Sequence, residues 1–382
     1  MKTRVLVYGL GTEVGGIEEY LLNIYRHIDK EQIAFDIIPH GGNKFYAEKE
    51  ITNLGGEIYP VFDKNHKLSL HCLNEVLRRE RPRHQVMYLN LCTLYRISPF
   101  ILAKKHHYPM VVHSHNTEDP NRSPILKQIH KINRIPVRNW TDSCFACSSA
   151  AGEWLFGKKF FHEQQKCSVI RNAIDLDKFV YNMQARKQIR KEFKIGEKED
   201  VYLTVGRLVD QKNQQYSIDV FAVIARKHPQ SRLILVGDGP NLDSLMQRAQ
   251  NLGITDKIIF TGSRNDVDDI MSAADLLLMP SLYEGLGIVA IEAQASGLPV
   301  LASDQIPDEA MVLPSIMHRL KTKTSVDVDL WSEQAFSMIH SNGQRKGHKT
   351  ELSLAGYDIN LLAENMLHFF QKYNQEHNNE KK

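Results

Sequence analysis

The stretch PSLYEGLGIVAIEAQASGLPVLASD, residues 280–304, joins a predicted strand to a predicted helix through a glycine-rich loop. Glycine lacks a Cβ atom, so a ligand can come close enough for the free amide groups at the helix start to hold a phosphate. Glu284 precedes the helix, and Glu292 follows about two turns later. Carboxylates on both sides of a phosphate site suit the hydroxyl groups of a nucleotide sugar. The candidate residues here are Glu284, Gly285, Gly287, Ile288, Val289 and Glu292.

Cationic side chains suited to a diphosphate occur in VGRLVDQKN, after the first strand of the second half. Arg207 and Lys212 lie on one strand-to-helix loop, so both can converge on one anion. Two more loops follow: LVGDGP contains Gly237, which permits close backbone approach, and FTGSRNDV contains Val267, where main-chain groups could recognise a base. A purely structural explanation fits each loop alone, whereas four such loops in this order, each at a strand end, favour a ligand site.

A further glycine-rich turn, VYGLGTEVGGIEEY at residues 7–20, raises the alternative of an NAD site. Its spacing G-x-G-x-x-x-G is close to the dinucleotide-binding fingerprint. That fingerprint requires an acidic residue at the end of the second strand, but Asp36 falls early in this strand, which ends at His40. We therefore interpret Gly15 and Gly16 as facing a different substrate.

Two histidines, His113 and His115, follow a first-half strand in VVHSHNT. Their spacing puts both side chains on one face if the strand continues. A metal would require further ligands, and Glu118 is only weakly suggestive, so no metal site is predicted. The remaining histidines, His130 among them, are expected at the surface.

Apolar runs alternate with amphipathic stretches along the whole chain, which is typical of parallel α/β sheets. The predicted strands are RVLVYG, FDIIPH, QVMYLN, MVVHSH, SCFACS and CSVIRN in the first half and VYLTVG, RLILVG, KIIFTG, DLLLMP and PVLAS in the second, and one predicted helix runs from about Ile288 to Ala295. The sequence predicts an α/β fold of two doubly wound, Rossmann-like domains that face a cleft, with the ligand beyond the C-terminal strand edges. The boundary is expected within residues 171–182, which gives an N-terminal acceptor-side domain, 1–172, and a donor-binding domain, 173–357. A C-terminal helix is predicted over about 358–376, packing back on a domain surface.

The size and composition of the chain indicate a globular protein. Its 382 residues suffice for two domains. No apolar run approaches the roughly 20 residues of a membrane span, and no secretory signal precedes the first strand, so a cytoplasmic protein is expected. The five cysteines are expected to be reduced. Cys144 and Cys147 spell C-x-x-C within a predicted strand, without a second pair that could complete a zinc site.

Charge is unevenly distributed. Residues 1–172 carry 24 Lys and Arg against 17 Asp and Glu, although the net charge of the chain is only +3. The basic residues form two clusters, Arg78–Arg83 and Lys127–Arg138. Both clusters are either solvated faces or a surface for peripheral contact with an anionic membrane. Nucleic acid is not expected as a partner, because no recognition module accompanies the charge.

The order G-R-L-x-x-x-K-N, V-G-D-G-P, F-x-G and E-G-x-G-x-x-x-x-E resembles the donor-binding domain of retaining family 4 glycosyltransferases of GT-B fold. The most similar subgroup comprises bacterial transferases of exopolysaccharide and capsule biosynthesis. The resemblance covers most of the chain and is most specific over residues 202–304. It implies that Arg207 and Lys212 hold the donor diphosphate, that Glu284 contacts the donor sugar and that Glu292 binds the ribose hydroxyl groups.

In the first half the resemblance answers the question raised by the glycine-rich turn. The family motif GGxE, here Gly15, Gly16 and Glu18, lies near the donor phosphates and the acceptor. His115 matches the family histidine that approaches the donor sugar, although the choice between His113 and His115 stays open.

The implied reaction is retaining, metal-independent transfer of a hexose from a nucleoside diphosphate sugar, most often a UDP-sugar. The acceptor would be a glycan or a polyprenyl-linked sugar at the inner face of the cell membrane, and no cofactor is expected. The implied catalytic residues are His115, Arg207, Lys212 and Glu284. Two alternatives remain: a nucleotide-sugar-binding protein without transferase activity, and a nucleotide-sugar epimerase of GT-B type.

Overall fold

The computed structural model describes residues 2–11, 15–39, 47–63, 67–322, 325–341 and 345–379. The chain divides into two compact units: the first contains Met1–Ile174 and Asp358–Lys382, and the second contains Asp175–Tyr357. The division falls inside the expected boundary segment, two residues after the expected position. The C-terminal segment therefore completes the first unit.

Each unit is built on a parallel sheet of six strands. The strands of the first unit are β1 (Thr3–Leu10), β2 (Ile33–Pro39), β3 (Val86–Leu91), β4 (Met110–Ser114), β5 (Ser143–Ala146) and β6 (Cys167–Val169). Those of the second unit are β7 (Asp200–Val205), β8 (Ser231–Val236), β9 (Ile258–Gly262), β10 (Leu276–Met279), β11 (Val300–Ser303) and β12 (Met317–Leu320). The strand orders are β2-β1-β3-β4-β5-β6 and β12-β11-β10-β7-β8-β9. Strand β2 is buried along its whole length and is apolar apart from Asp36, because helices cover both faces of a parallel sheet.

Helices connect these strands. In the described chain they are α1 (Gly16–His27), α2 (Glu48–Asn53), α3 (Leu70–Glu80), α4 (Ser98–Lys105), α5 (Pro124–Trp140), α6 (Ser149–Phe156), α7 (Lys158–Glu163), α8 (Met183–Glu192), α9 (Gln214–Lys227), α10 (Leu242–Asn251), α11 (Val267–Ala273), α12 (Ile288–Ala295), α13 (Ser325–Ser341), α14 (Lys349–Leu354) and α15 (Ile359–Asn379). The predicted α/β fold of two doubly wound, Rossmann-like domains is confirmed.

The core of the first unit includes the C-terminal helix α15, which packs on α1 and β1. The buried Phe370 ring of α15 lies edge-on to Phe35, with ring centroids 6.0 Å apart, and 5.5 Å from the centroid of Tyr88. Burial of these aromatic rings explains why residues far apart in the chain form one domain.

The core of the second unit surrounds Trp331 of α13, which is fully buried and packs edge-on against Tyr216 of α9. Strand β12 lies beside β11 and had not been predicted. Its sequence, MHRL, has one buried residue followed by three partly or fully exposed ones, so it lacks the apolar run used to identify the other strands.

Candidate active site

The start of helix α12 is shaped by a glycine. Gly287 caps the helix with φ +87°, a left-handed conformation that side chains disfavour, and a Cβ atom there would lie 2.9 Å from Cε of Met279. The N-cap residue Gly287 makes no side-chain hydrogen bond to this helix start, so it leaves the amide groups of Ile288 and Val289 uncapped. The positive end of the helix dipole and these amides favour an anion.

Lys212 and Glu284 meet at this position. The ammonium Nζ of Lys212 lies 2.6 Å from Oε1 of Glu284. The Glu284 side chain is only 7% exposed and that of Lys212 is 23% exposed, so most of the pair is shielded from water. The sequence placed both residues in one site, and the structure brings them into direct contact.

Three hydrogen bonds bring the Lys212 loop and the Glu284 loop together. The amide of Leu282 donates to the carbonyl of Gln211 at 2.8 Å, and the Gln211 side chain donates to the carbonyl of Tyr283 at 2.9 Å. The Asn213 side chain donates to the carbonyl of Pro280 at 3.1 Å. These bonds fix the loops as one rigid arrangement. Gln211 and Asn213 had not been selected from sequence, although Asn213 is part of the K-N motif.

The glycines of the next two loops allow contact between backbones. A Cβ atom on Gly237, whose φ is +136°, would lie 2.0 Å from the carbonyl oxygen of Gly206. One on Gly239, with φ +154°, would lie 2.6 Å from the carbonyl oxygen of Leu208. In the structure the close neighbour of Gly237 is the loop after β7, and the predicted approach of a ligand at Gly237 stays a prediction.

The other candidate residues of the second unit follow the same strands. Arg207 is exposed after β7, and Val267 is the partly buried first residue of α11. Gly285 is buried in the loop after β10, and Glu292 is partly buried on α12. Because β10, β7, β8 and β9 are neighbours in a parallel sheet, these loops share its C-terminal edge.

In the first unit, His115 follows β4 and is buried. Its Nε2 lies 2.8 Å from Oδ1 of Asn90, whose amide group faces the carbonyl of Tyr88 at 3.4 Å. This orientation makes Asn90 Oδ1 the acceptor, so His115 carries its proton on Nε2 and presents a lone pair on Nδ1. Among the described residues His115 Nδ1 has no hydrogen-bond partner. Burial lowers the pKa of His115 to about 3, which keeps the ring neutral.

His113 belongs to a buried network beside His115. Its Nδ1 lies 2.6 Å from the hydroxyl of Tyr88, which is 3.2 Å from the hydroxyl of Tyr20. The rings of His113 and His115 have centroids 4.0 Å apart. Burial lowers the pKa of His113 and raises the pKa of Tyr20, so every member is neutral near pH 7. Asn90, Tyr20 and Tyr88 were missed from sequence, because they follow the same pattern as ordinary core residues.

Gly15 and Gly16 lie at the start of α1, where Gly15 is the extended N-cap residue. The Gly11 amide donates to Oε1 of Glu18 at 2.5 Å, and a Cβ atom on Gly15 would lie 2.7 Å from Oε2 of Glu18. The GGxE carboxylate therefore folds back over the turn. Residues 12–14 of this turn lie outside the described residues.

Asp36, the residue considered for an NAD site, has a structural role. It is fully buried and accepts hydrogen bonds from Arg4 at 2.6 and 2.7 Å, from the Glu57 amide at 2.7 Å and from His84 at 2.7 Å. Burial alone would raise the pKa of Asp36, but the bonds from His84 and Arg4 outweigh it and lower the pKa. A carboxylate satisfied in this way has no oxygen to offer a ribose.

The prediction that His130 is a surface residue was wrong. Its ring is fully buried, stacks on Trp154 at 3.8 Å, accepts from the Leu94 amide at 3.0 Å and contacts the Trp154 carbonyl at 2.8 Å. Burial lowers the pKa of His130 to about 4. The residue fixes α5 against the rest of the unit.

Within the described residues, no cluster of three or more His, Cys, Asp or Glu side chains is arranged to hold a metal ion. The helices of the described ranges include none that is both long and apolar enough to cross a bilayer. The expectation of a metal-independent reaction stays a prediction.

Comparison with known proteins identifies the class to which this fold and these sites belong. Residues 14–178 match the family described as Glycosyltransferase Family 4, and residues 185–346 match the family described as Glycosyl transferases group 1. The protein is a glycosyltransferase of GT-B fold. It belongs to the family 4 glycosyltransferases, which confirms the family indicated by the motif order.

Three relatives illustrate the similarity. The EpsF protein of Bacillus subtilis (strain 168) is 29% identical over 361 residues, 93% of each chain. The UDP-Gal:alpha-D-GlcNAc-diphosphoundecaprenol alpha-1,3-galactosyltransferase of Escherichia coli is 34% identical over 152 residues, 38% of this chain and 39% of that protein. The structure of Anabaena Alr3699/HepE in complex with UDP and glucose has a TM-score of 0.76 at 19% identity and covers 97% of this chain and 100% of that one.

Proposed function

We propose that this glycosyltransferase moves a hexose from a UDP-sugar, with retention at the anomeric carbon, to a glycan or polyprenyl-linked acceptor in exopolysaccharide synthesis. The E. coli relative is named for a UDP-sugar donor and a diphosphoundecaprenol-linked acceptor, and HepE was crystallised with UDP and glucose. Such an acceptor would place the reaction at the inner face of the cell membrane. These likenesses support the proposal and leave the particular sugar and linkage to experiment.

The observation that carries the proposal is the Lys212–Glu284 pair at the start of α12. When the bond between the anomeric carbon and the diphosphate oxygen breaks, negative charge develops on the departing diphosphate. The Lys212 ammonium, the Arg207 guanidinium and the amide groups of α12 are the groups proposed to stabilise that charge, and preorganised positive groups of this kind supply much of an enzyme's rate enhancement. In this proposal no metal ion or other cofactor is required.

The other proposed contacts are with the sugar, the ribose and the base of the same donor. Glu284 would accept a hydrogen bond from a hydroxyl group of the donor sugar, and Glu292 would accept from the ribose. Backbone groups beside Gly237 and Val267 would contact the nucleotide.

In the first unit, the neutral His115 would approach the donor sugar, with its ring oriented by the bond between its Nε2 and Asn90. Gly15 and Gly16 would leave room for the acceptor beside α1.

A thermal-shift panel of UDP, GDP, ADP and NADH tests the donor site. A ligand at about 100 times its Kd stabilises the folded state by about 2.7 kcal/mol, so binding is visible as a rise in Tm. We expect UDP to raise Tm and Arg207→Ala to abolish most of that rise. Arg226→Ala, which changes an exposed arginine near the far end of α9, is the matched control. Stabilisation by NADH alone would overturn the proposal.

Product analysis tests the reaction itself. NMR of the product made from a UDP-sugar and a polyprenyl diphosphate sugar should show the anomeric configuration of the donor. The rate should be unchanged after dialysis against EDTA. A donor converted to another nucleotide sugar without acceptor would indicate an epimerase, and binding without turnover would indicate a binding protein.

A further inference from the structure

Two of the five cysteines lie opposite each other on neighbouring strands. Cys144 is the second residue of β5 and Cys167 is the first residue of β6, and the two are direct partners in the parallel register. Register partners project from the same face of the sheet, and their strands are about 4.8 Å apart. That spacing is within the range of Cα–Cα distances, about 4.4–6.8 Å, at which two cysteines can form a disulfide. Both cysteines are free thiols in the structure.

The C-x-x-C motif of the sequence does not supply the partner of Cys144. Cys147 is three residues further along extended chain, so its Cα atom lies roughly 10 Å from that of Cys144, and the two side chains point to opposite faces. The Cys147 amide donates to the carbonyl of Ser114 at 3.0 Å, which continues the pairing of β5 with β4. Cysteines whose Cα atoms are more than about 7 Å apart cannot be bridged without backbone movement. The fold therefore makes Cys167 the partner of Cys144.

The two sulfur atoms differ in their access to solvent. Cys144 is fully buried, whereas Cys167 is partly exposed. A reagent in solution can therefore reach Cys167 directly, and Cys144 reacts only through Cys167. Strand β6 is three residues long and lies at the edge of its sheet, so the small shift that joins the two sulfur atoms disturbs few backbone hydrogen bonds.

Two cationic side chains lie beside Cys167. Its Sγ atom is 3.9 Å from the carbonyl oxygen of Phe160, and the ring centroid of Phe160 is 5.5 Å from Nζ of Lys166. The same ring centroid is 5.2 Å from Cζ of Arg138. A hydrogen bond from the Cys144 thiol and these two positive charges lower the pKa of Cys167, although its partial burial opposes the shift. Because the thiolate is the nucleophilic form of cysteine, Cys167 is the residue that reacts first.

We infer that Cys144 and Cys167 form a reversible disulfide by exchange with a small disulfide such as oxidised glutathione. The Cys167 thiolate attacks one sulfur of the small disulfide, which forms a mixed disulfide and releases one small thiolate. The Cys144 thiol then loses its proton to solvent and its sulfur attacks Cys167, which releases the second small thiolate. The two cysteines are oxidised, and the small disulfide is reduced to two thiols. The inference does not depend on the proposed glycosyl transfer.

Mass spectrometry of the cysteine-containing peptides tests the inference. The folded protein is incubated with oxidised glutathione, then unfolded and alkylated, and we expect a linked peptide pair that contains Cys144 and Cys167. Cys144→Ala should stop at the mixed disulfide, with one glutathione on Cys167, and Cys167→Ala should leave Cys144 unmodified until the protein is unfolded and alkylated. The matched control is Cys147→Ala, which changes an equally buried cysteine and should form the same linked pair as the wild type.

Thermal unfolding of the wild-type protein gives a second measurement that needs no variant. The bond closes the segment between Cys144 and Cys167, and the loop-closure entropy of a segment of this length predicts a Tm roughly 5–10 °C above that of the reduced protein, reversed by dithiothreitol. A bond between Cys144 and Cys147, or two free thiols while glutathione attaches to the partly exposed Cys72, would overturn the inference. A linked pair that forms only above the Tm would also overturn it, because the folded strands would not have produced the pairing.

Discussion

The Lys212–Glu284 pair allows structural and binding roles to be separated. Removing one partner of a buried ion pair costs about 3–5 kcal/mol, whereas an exposed pair contributes at most about 1 kcal/mol. Glu284 is almost fully buried and Lys212 is partly exposed. We therefore expect Lys212→Met, which keeps most of the stem and removes the charge, to lower the stability of the second unit by about 1–3 kcal/mol.

Thermal unfolding measures this loss. For a unit of this size, 1 kcal/mol corresponds to roughly 2–4 °C in Tm, so the expected decrease is roughly 2–12 °C. The double variant Lys212→Met, Glu284→Gln should recover more than half of it, because a neutral amide needs no cation. Lys227→Met is the matched control: Lys227 lies 3.7 Å from Glu333 on the surface of the same unit, and its loss should change stability by less than about 1 kcal/mol.

UDP provides the second measurement. Both variants that lack Lys212 should lose most of the UDP-induced rise in Tm, including the double variant whose stability is restored. The reasoning fails if Lys212→Met is as stable as Lys227→Met and the effects of Lys212→Met and Glu284→Gln simply add.

Three further predictions concern backbone, hydrogen bonding and pH. Gly237→Ala should lower the stability measured by thermal unfolding by about 3 kcal/mol, because the new Cβ atom overlaps the neighbouring loop and the backbone has a positive φ angle. Gly253 also has a positive φ angle but lies in open space, so Gly253→Ala should lower stability by only about 1 kcal/mol. Equal losses in the two variants would contradict this explanation. Asn90→Ala should lower kcat about tenfold without reducing UDP stabilisation, and Asn90→Asp, which keeps the acceptor for His115, should restore part of it. Stability should fall as the pH drops below about 6.5, because unfolding lets His115 and His130, with folded pKa values of about 3 and 4, take up protons. By pH 5 each of these two histidines should lower the free energy of unfolding, measured by chemical denaturation, by about 2 kcal/mol. An unchanged dependence of stability on pH in His130→Gln would refute the assignment.

The sequence predicted those features of the fold that depend on one helix, strand or loop at a time. Apolar runs predicted all the strands except β12, and Gly287 followed by the run from Ile288 to Ala295 predicted the bounds of α12. The motif order also predicted the family. These features depend on residues that are close together in the chain, because an apolar run indicates a buried strand and a glycine marks the start of the helix that follows it.

Side-chain contacts between segments that are far apart in the chain could not be predicted from the sequence pattern. His130 has the same type and spacing as a solvated helix residue, and only the positions of Leu94 and Trp154 make it a buried hydrogen-bonding group. The contact of Lys212 with Glu284 likewise depends on hydrogen bonds between two loops that lie 72 residues apart in the chain.

The glycines of the second unit show how one sequence signal can serve two purposes. Gly237 and Gly239 permit the loops after β7 and β8 to touch backbone to backbone, whereas Gly287 opens the start of α12. Both uses fix the backbone around Lys212 and Glu284 before any ligand arrives. Groups held in this way need not reorganise as charge develops, which is the condition for strong electrostatic stabilisation of a departing diphosphate. Substitution of these glycines would therefore affect turnover by displacing the loops that hold Lys212 and Glu284, in addition to any loss of the nucleotide contact proposed beside Gly237.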